Sequence, residues 1–246
     1  MQLVLWRKQK LSSIFIVCVV LVVVFVCLRL SYWQIQRAEA KALQLAHIES
    51  VQDQGVMQWS QVQALPVTWD KTGIKVTFRG QVEGQYYWLL DNQIYQGQVG
   101  YDVLTLFTPT GSKIPIVANL GWVKAPLTRQ QLPTINLPKQ PIEMTVQLKQ
   151  GQLSGFTLEN SDTAQSDGWP KRIQNIDLEA FSKQTGTLMA DYIGYRQGAG
   201  DDLGIPHYQA VVMSPQKHYG YAVQWLLIGL ACIGVAVFAS KKKDLK

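Results

Sequence analysis

Three histidines are the residues of this chain best suited to ligand or proton chemistry, and their settings differ. His47 lies in a run of good helix formers, and His207 follows Pro206 in a loop rich in Gly and Asp; both settings favour solvated side chains. His218 lies in Pro215-Gln-Lys-His218-Tyr219-Gly-Tyr221-Ala-Val-Gln-Trp225, which runs straight into an apolar stretch. On a helix, His218, Tyr221 and Trp225 stand at i, i+3 and i+7 and share a face. A neutral imidazole in that place can ligate a metal or haem iron. Aromatic residues equally suit a headgroup layer, so interfacial decoration stands beside the ligand reading.

A second polar set, Trp33-Gln34 with Arg37 and Lys41, follows another apolar run near the start of the chain. Arg37 and Lys41 are at i+4 and i+8 from Trp33 and fall on its face. If the two apolar segments pair as helices, this cationic face is expected to approach His218. Together they would offer an axial ligand, cations for propionates and aromatic walls. The alternative is contact of Arg37 and Lys41 with lipid phosphates or domain carboxylates. No other constellation of chemistry is present: the chain has no GxSxG, HExxH, P-loop or GxGxxG after a strand. The adjacent acids Asp201-Asp202 read as solvated loop residues, and an enzyme is not expected.

The elements that must position these residues are legible from composition. Leu11–Leu30 is apolar apart from two serines and Arg29, and Tyr221–Ser240 contains no charge. Each is about 20 residues, enough at about 1.5 Å per residue to cross about 30 Å of hydrocarbon. The expected order is a cytoplasmic N-terminus (1–10), a transmembrane helix (11–30), an extracytoplasmic domain (31–220), a second transmembrane helix (221–240) and a basic cytoplasmic tail (241–246). Small-x-small cleavage signals are missing after the first run, which therefore reads as an uncleaved anchor.

The net charge of +6 does not indicate nucleic acid, because residues 31–220 hold 15 basic and 16 acidic side chains. The excess lies at the termini, in Arg7, Lys8 and Lys10 and in Lys241, Lys242, Lys243 and Lys246, and marks them as cytoplasmic. The outer domain would then face the bacterial periplasm, with the chain in the inner membrane; the equivalent mitochondrial space remains the alternative. All three cysteines (Cys18, Cys27, Cys232) lie in the apolar runs. The domain therefore has no disulfide and no thiolate metal site.

Between the spans, Ser31 to about Gln52 continues as a helix that Gly55 ends. From Ile74 the pattern turns to period two, through Ile74, Val76, Phe78 and Val82, with Arg79-Gly80 as a bulge or bend. Further strands are expected at Tyr86–Leu90, Tyr101–Phe107, Ile114–Ala118 with Asn119–Val123, Ile142–Leu148, Leu188–Ile193 and Tyr208–Met213. Residues 125–141 form an extended connection, 151–170 a long loop, and Asp177–Gln184 a short helix capped by Asp177. The fold class is a membrane protein with two transmembrane helices flanking one α+β, strand-dominated extracytoplasmic domain, its strands forming an antiparallel sheet or small barrel.

Four segments carry a resemblance. Leu30-Ser31-Tyr32-Trp33-Gln34-Ile35-Gln36-Arg37, Gly97-x-x-Gly100-Tyr101-x-Val103, Val117-Ala118-Asn119-Leu120-Gly121-Trp122-Val123 and Pro215-x-x-His218-x-x-Tyr221-Ala222-x-x-Trp225 occur in this order. They resemble the motifs of the surfeit locus protein 1 family (Surf or Shy proteins), which helps assemble cytochrome c oxidase. Leu120 stands where that family usually has Arg, and Ser31 where it has Gly. The resemblance implies a non-enzymatic assembly factor for a haem-copper oxidase that assists haem a insertion or stabilises subunit I. It implies subunit I and the haem a delivery machinery as partners. It places the family histidine on His218, with Tyr221, Trp225, Trp33 and Arg37 around it. A haem-free scaffold binding oxidase or other envelope subunits is the alternative reading.

Overall fold

The structure is a computed structural model that describes residues 2–128, 131–151, 153, 168–211 and 213–244. Two long apolar helices at the ends of the chain flank one mixed β-sheet domain. The chain divides into two compact units, residues 1–46 with 211–246, and residues 47–210.

In the first unit, α1 (Gln2–Gln52) and α4 (Pro215–Asp244) are each long enough to span a bilayer. Pro215 opens α4 where its missing N–H costs nothing. Large apolar side chains from Ile14 to Leu28 and from Leu226 to Phe238 are exposed on most sides, as lipid contact requires. One stripe of each helix is covered instead. On α1 it runs through Cys27, Ser31, Gln34 and Ala38, and on α4 through His218, Ala222, Trp225 and Gly229. Both alternate steps of three and four, the spacing of a helix–helix seam. The seam is built on small residues: a Cβ added at Gly229 would stand 3.3 Å from the Cβ of Cys27. One turn along, Ser31 Oγ donates to the Ala222 carbonyl at 2.9 Å.

The expected helical extension to Gln52 is present, and the chain turns at Gly55, whose φ of +79° suits glycine. The last turn of α1 enters the second unit, where Ile48 and Val51 are buried. There follow β1 (Val56–Gln58), α2 (Trp59–Gln63), β2 (Lys75–Tyr95), β3 (Gln98–Pro109), β4 (Ile116–Lys124), β5 (Ile142–Gln150), β6 (Lys171–Ile173), α3 (Leu178–Thr185) and β7 (Tyr192–Arg196). Strands β2, β3, β4, β7 and β5 pair in that order, and β5 pairs back on β2, closing a small barrel. The β4–β7 step is parallel, so the sheet is mixed rather than purely antiparallel. Short β1 and β6 add to β2, also in parallel.

Closure depends on the length and curvature of β2. The two strands expected at Ile74–Val82 and Tyr86–Leu90 are one 21-residue strand. Arg79-Gly80 is not a bulge, since the register with β5 runs unbroken through Arg79↔Glu143 and Gly80↔Ile142. Gly80 is required for close approach: a Cβ there would lie 2.4 Å from the Phe107 ring and the Thr108 carbonyl. The register with β3 is irregular at two later points, between Val82 and Tyr87 and between Leu90 and Gln93; Lys75–Gly80 pairs with β5 and the strand from Gly80 to Tyr95 with β3.

Side chains alternate between two cores. Phe78, Leu89, Val103, Ile116, Leu120 and Val146 fill the barrel. Trp88, Leu90, Leu104, Val117, Ile193 and Phe181 form a second cluster between the outer wall and α3. There the Trp88 ring stacks on Phe181 at 4.1 Å and its Nε1 donates to Gln184 at 2.8 Å. Helix α3 is capped as expected by Asp177, which accepts from the Ala180 amide at 3.0 Å, and ends at Gly186 in the left-handed region.

Three sequence expectations are corrected here. The strand expected at Leu188–Ile193 is β7, shifted to Tyr192–Arg196. Among the described residues of Tyr208–Met213 there is no strand; Tyr208 instead stacks on Tyr195 at 3.7 Å. The segment Lys171–Ile173, not expected as a strand, pairs with β2. Most of the loop expected at 151–170 lies outside the described residues.

Candidate functional site

In the helix unit, α1 and α4 bring a glutamine, not a cation, to the histidine. His218 is half-buried in the seam, and its Nδ1 lies 2.7 Å from Gln34 Oε1. An amide oxygen can only accept, so in this orientation of the Gln34 amide Nδ1 is the donor of the pair. Among the described residues Nε2 has no hydrogen-bond partner. Trp225 is half-buried two turns along the same stripe, and Ala222 is buried between them.

Tyr221 is 45% exposed, on the flank of the seam rather than at its centre. A step of three residues from His218 rotates it about 60° to one side, while Ala222, a step of four, takes the covered position. Trp33, 47% exposed, lies off the seam as well, with the Arg37 guanidinium 5.8 Å from its ring centroid. Lys41 donates to Gln44 at 3.0 Å. The expected approach of the Arg37–Lys41 face to His218 is therefore not what the seam contains; the i+1 neighbour of Trp33, Gln34, points there instead.

The β domain holds a second polar constellation. Asp102, its side chain only 7% exposed, stands on β3 among apolar neighbours. Its carboxylate accepts from Asn119 Nδ2 at 2.7 Å and meets His207 Nε2 at 2.6 Å. Asn119 Oδ1 in turn accepts from the Gly121 amide at 2.9 Å. The geometry rests on a β-bulge: Val103 pairs with Gly121 and Leu104 with Asn119, leaving Leu120 as the extra residue. Gly121 has φ +122°, and a Cβ there would lie 2.6 Å from the Ile205 backbone. That approach allows the two 2.8 Å backbone bonds between Trp122 and Ile205. These bonds carry His207 to Asp102. Leu120, where the resembling family has a cation, is fully buried in the apolar barrel core.

The loop leading to His207 is fixed by Arg196. Its Nη1 donates to both oxygens of Asp201 at 2.8 and 2.7 Å, and its Nη2 donates to the Gly204 carbonyl. The expectation that His207 is simply solvated is thus corrected; the adjacent acids Asp201 and Asp202 are both exposed, Asp201 with an added ion pair to Arg196. His47, by contrast, is a half-exposed side chain 3.9 Å from Asp70.

Electrostatics follow from these partners. The Asp102 hydrogen bond raises the His207 pKa, partial burial opposes it, and attraction to the carboxylate adds to the rise. For Asp201, partial burial pushes upward, but the Arg196 bonds and the Leu203 and Gly204 amides outweigh it and hold the carboxyl below its usual value. Burial pushes the Tyr208 hydroxyl up to about 12, and Tyr195 is raised by burial, by Tyr208 and by Asp102. Neither phenol is available as a base near neutral pH. The Asp–Asn–His set clamps the 201–207 segment to the barrel.

Sequence reasoning missed Asp102 and Asn119 as site residues, and it placed Gln34 in the polar set after the first apolar run without giving it a partner. The available signal was a lone carboxylate inside the apolar run Tyr101–Phe107, which must find a partner to be buried. Among the described residues no group of three His, Cys, Asp or Glu side chains is placed to hold a metal ion.

No curated protein matches the chain significantly. Residues 21–230 match the SURF1 family, a span that includes the helix seam, the barrel and the Asp102 cluster. With most of its length so matched, the chain belongs to the SURF1 family of membrane-anchored cytochrome oxidase assembly factors, which are not enzymes.

Proposed function

We propose that this protein assists the maturation of subunit I of a haem-copper oxidase by transiently holding haem a at His218. The observation that carries this reading is the His218–Gln34 pair in the helix seam, with Nδ1 engaged and Nε2 left over. One imidazole suffices for such a group, because a porphyrin brings the remaining nitrogen ligands of its iron. The donor set suits it: a histidine whose second nitrogen is hydrogen-bonded is the usual ligand arrangement. Trp225, half-buried on the same stripe, offers apolar area beside it, whereas Tyr221 and Trp33 lie on the exposed flanks with Arg37 over the Trp33 ring. The chain's own work would be to bind, to present the imidazole in one tautomer, and to release.

The membrane is taken to be the bacterial inner membrane. Residues 1–10 and 241–246 would be cytoplasmic, 11–30 and 221–240 would span, and 31–220 would be periplasmic; the basic residues at both termini support this orientation. Partners are then subunit I, the haem a delivery machinery and the bilayer itself. Deleting the gene is expected to lower haem a absorbance and oxidase activity selectively, with other cytochromes intact. A protein that is colourless in cells making haem a, yet co-purifies with oxidase subunits, would instead support a haem-free scaffold.

A further inference from the structure

We infer that Gln34 is a positioning residue that selects the tautomer of His218, keeping the ring proton on Nδ1 and leaving the Nε2 lone pair for a metal. Its purpose rests on the haem-ligand reading above, but the tautomer itself does not. A neutral imidazole carries one proton on either nitrogen, and only the unprotonated one can donate to iron. In this seam the choice is made by a 2.7 Å contact to an amide oxygen.

The seam around the pair is constrained. Ser31 Oγ holds the Ala222 carbonyl at 2.9 Å, one turn from each partner, and Ala38 and Ala222 are buried along the same stripes. The nearby cations are engaged elsewhere, Arg37 over Trp33 and Lys41 on Gln44. A cation at position 34 could not accept the proton; an amide oxygen can. The helix crossing therefore delivers one acceptor to one ring nitrogen.

The test uses the full-length protein in lipid nanodiscs, labelled with ¹⁵N-histidine and made in cells without haem a. Ring ¹⁵N–¹H correlations read the tautomer, and titration with ferric haem b reads binding by absorbance. Wild type is expected to show Nδ1–H at His218. Gln34→Leu should give a tautomer mixture and weaken haem binding about 10–100-fold, the usual cost of losing an outer hydrogen bond to a ligand. Gln34→Glu keeps an acceptor, and should keep tautomer and binding while lowering the midpoint potential of the bound haem. Ser31→Ala loosens the seam without touching the ring and should leave the tautomer unchanged.

An Nε2–H ring in the wild type would overturn the assignment. So would a Gln34→Leu variant with unchanged tautomer and affinity while His218→Ala loses haem. If His218→Ala binds haem as wild type does, the ligand reading falls, and the tautomer spectra still decide the role of Gln34. Should Gln34→Leu fail to insert, the wild-type and Gln34→Glu spectra decide it alone.

Discussion

Replacing His207 by alanine tests whether the Asp102 cluster clamps the domain. The substitution leaves a carboxylate that is 7% exposed with Asn119 as its remaining side-chain partner. Stripping one partner from a fully buried pair costs about 3–5 kcal/mol. Here the histidine is 20% exposed and Asn119 stays, so a charge-assisted hydrogen bond of about 2–3 kcal/mol is the better measure. At about 2–4 °C per kcal/mol for a domain of this size, the expected fall in Tm is about 4–12 °C at pH 5. The pH dependence has a definite sign. His207 is raised by its bond to Asp102, so the folded state holds its proton to higher pH than the unfolded chain. The extra stability is complete below about 6.5, the ordinary histidine value, and is lost as pH rises through the folded value. The Tm difference between wild type and His207→Ala should therefore shrink from pH 5 to pH 9. Near-UV circular dichroism of the full-length protein in detergent, at one scan rate, reads it. A difference that is constant with pH, or smaller than about 1 °C throughout, would refute the reasoning.

Gly121→Ala should cost about 2 kcal/mol or more, since φ +122° and the Ile205 backbone both oppose a Cβ, and should also abolish the pH dependence just described; thermal melts at two pH values check both. Leu120→Arg, which restores the residue usual in the resembling family, places a charge in an apolar core and is expected to lower Tm by more than 10 °C or prevent accumulation of the protein. Asp201→Asn should change stability by less than about 1 kcal/mol at pH 7, because the carboxylate is 54% exposed. Its effect should vanish as pH falls through the depressed Asp201 value, which acid titration of the two proteins compares.

How much of this was readable from sequence varies by element. The two long helices follow from runs too apolar to be exposed to water, and the Asp177 cap and Gly55 turn from single residue preferences. The barrel's closure does not, because it depends on β5 and β7 pairing with strands distant in sequence, and local periodicity is silent about partners. Strands β3 and β4 are buried on both faces, so their alternation is erased and Asp102 looks like a stray polar residue. Gly80 reads as a bend signal, yet it serves an aromatic neighbour that only tertiary structure supplies. In the seam, Cys27, Ser31, Gln34 and Ala38 stand at steps of three and four, but within and just after an apolar run that spacing marks no face until the partner helix is in place. Charge drew attention to Arg37, but the small and neutral residues form the helix contact, because close approach of two helices in lipid favours them.

The measurement that bears most directly on the central claim is the haem a absorbance of membranes carrying His218→Ala in place of the wild-type protein, with protein levels matched. The account predicts a selective loss of haem a and of oxidase activity, approaching that of the gene deletion, while b- and c-type cytochromes are unchanged. Wild-type haem a and oxidase activity in that variant, alongside a deletion that loses both, would contradict it.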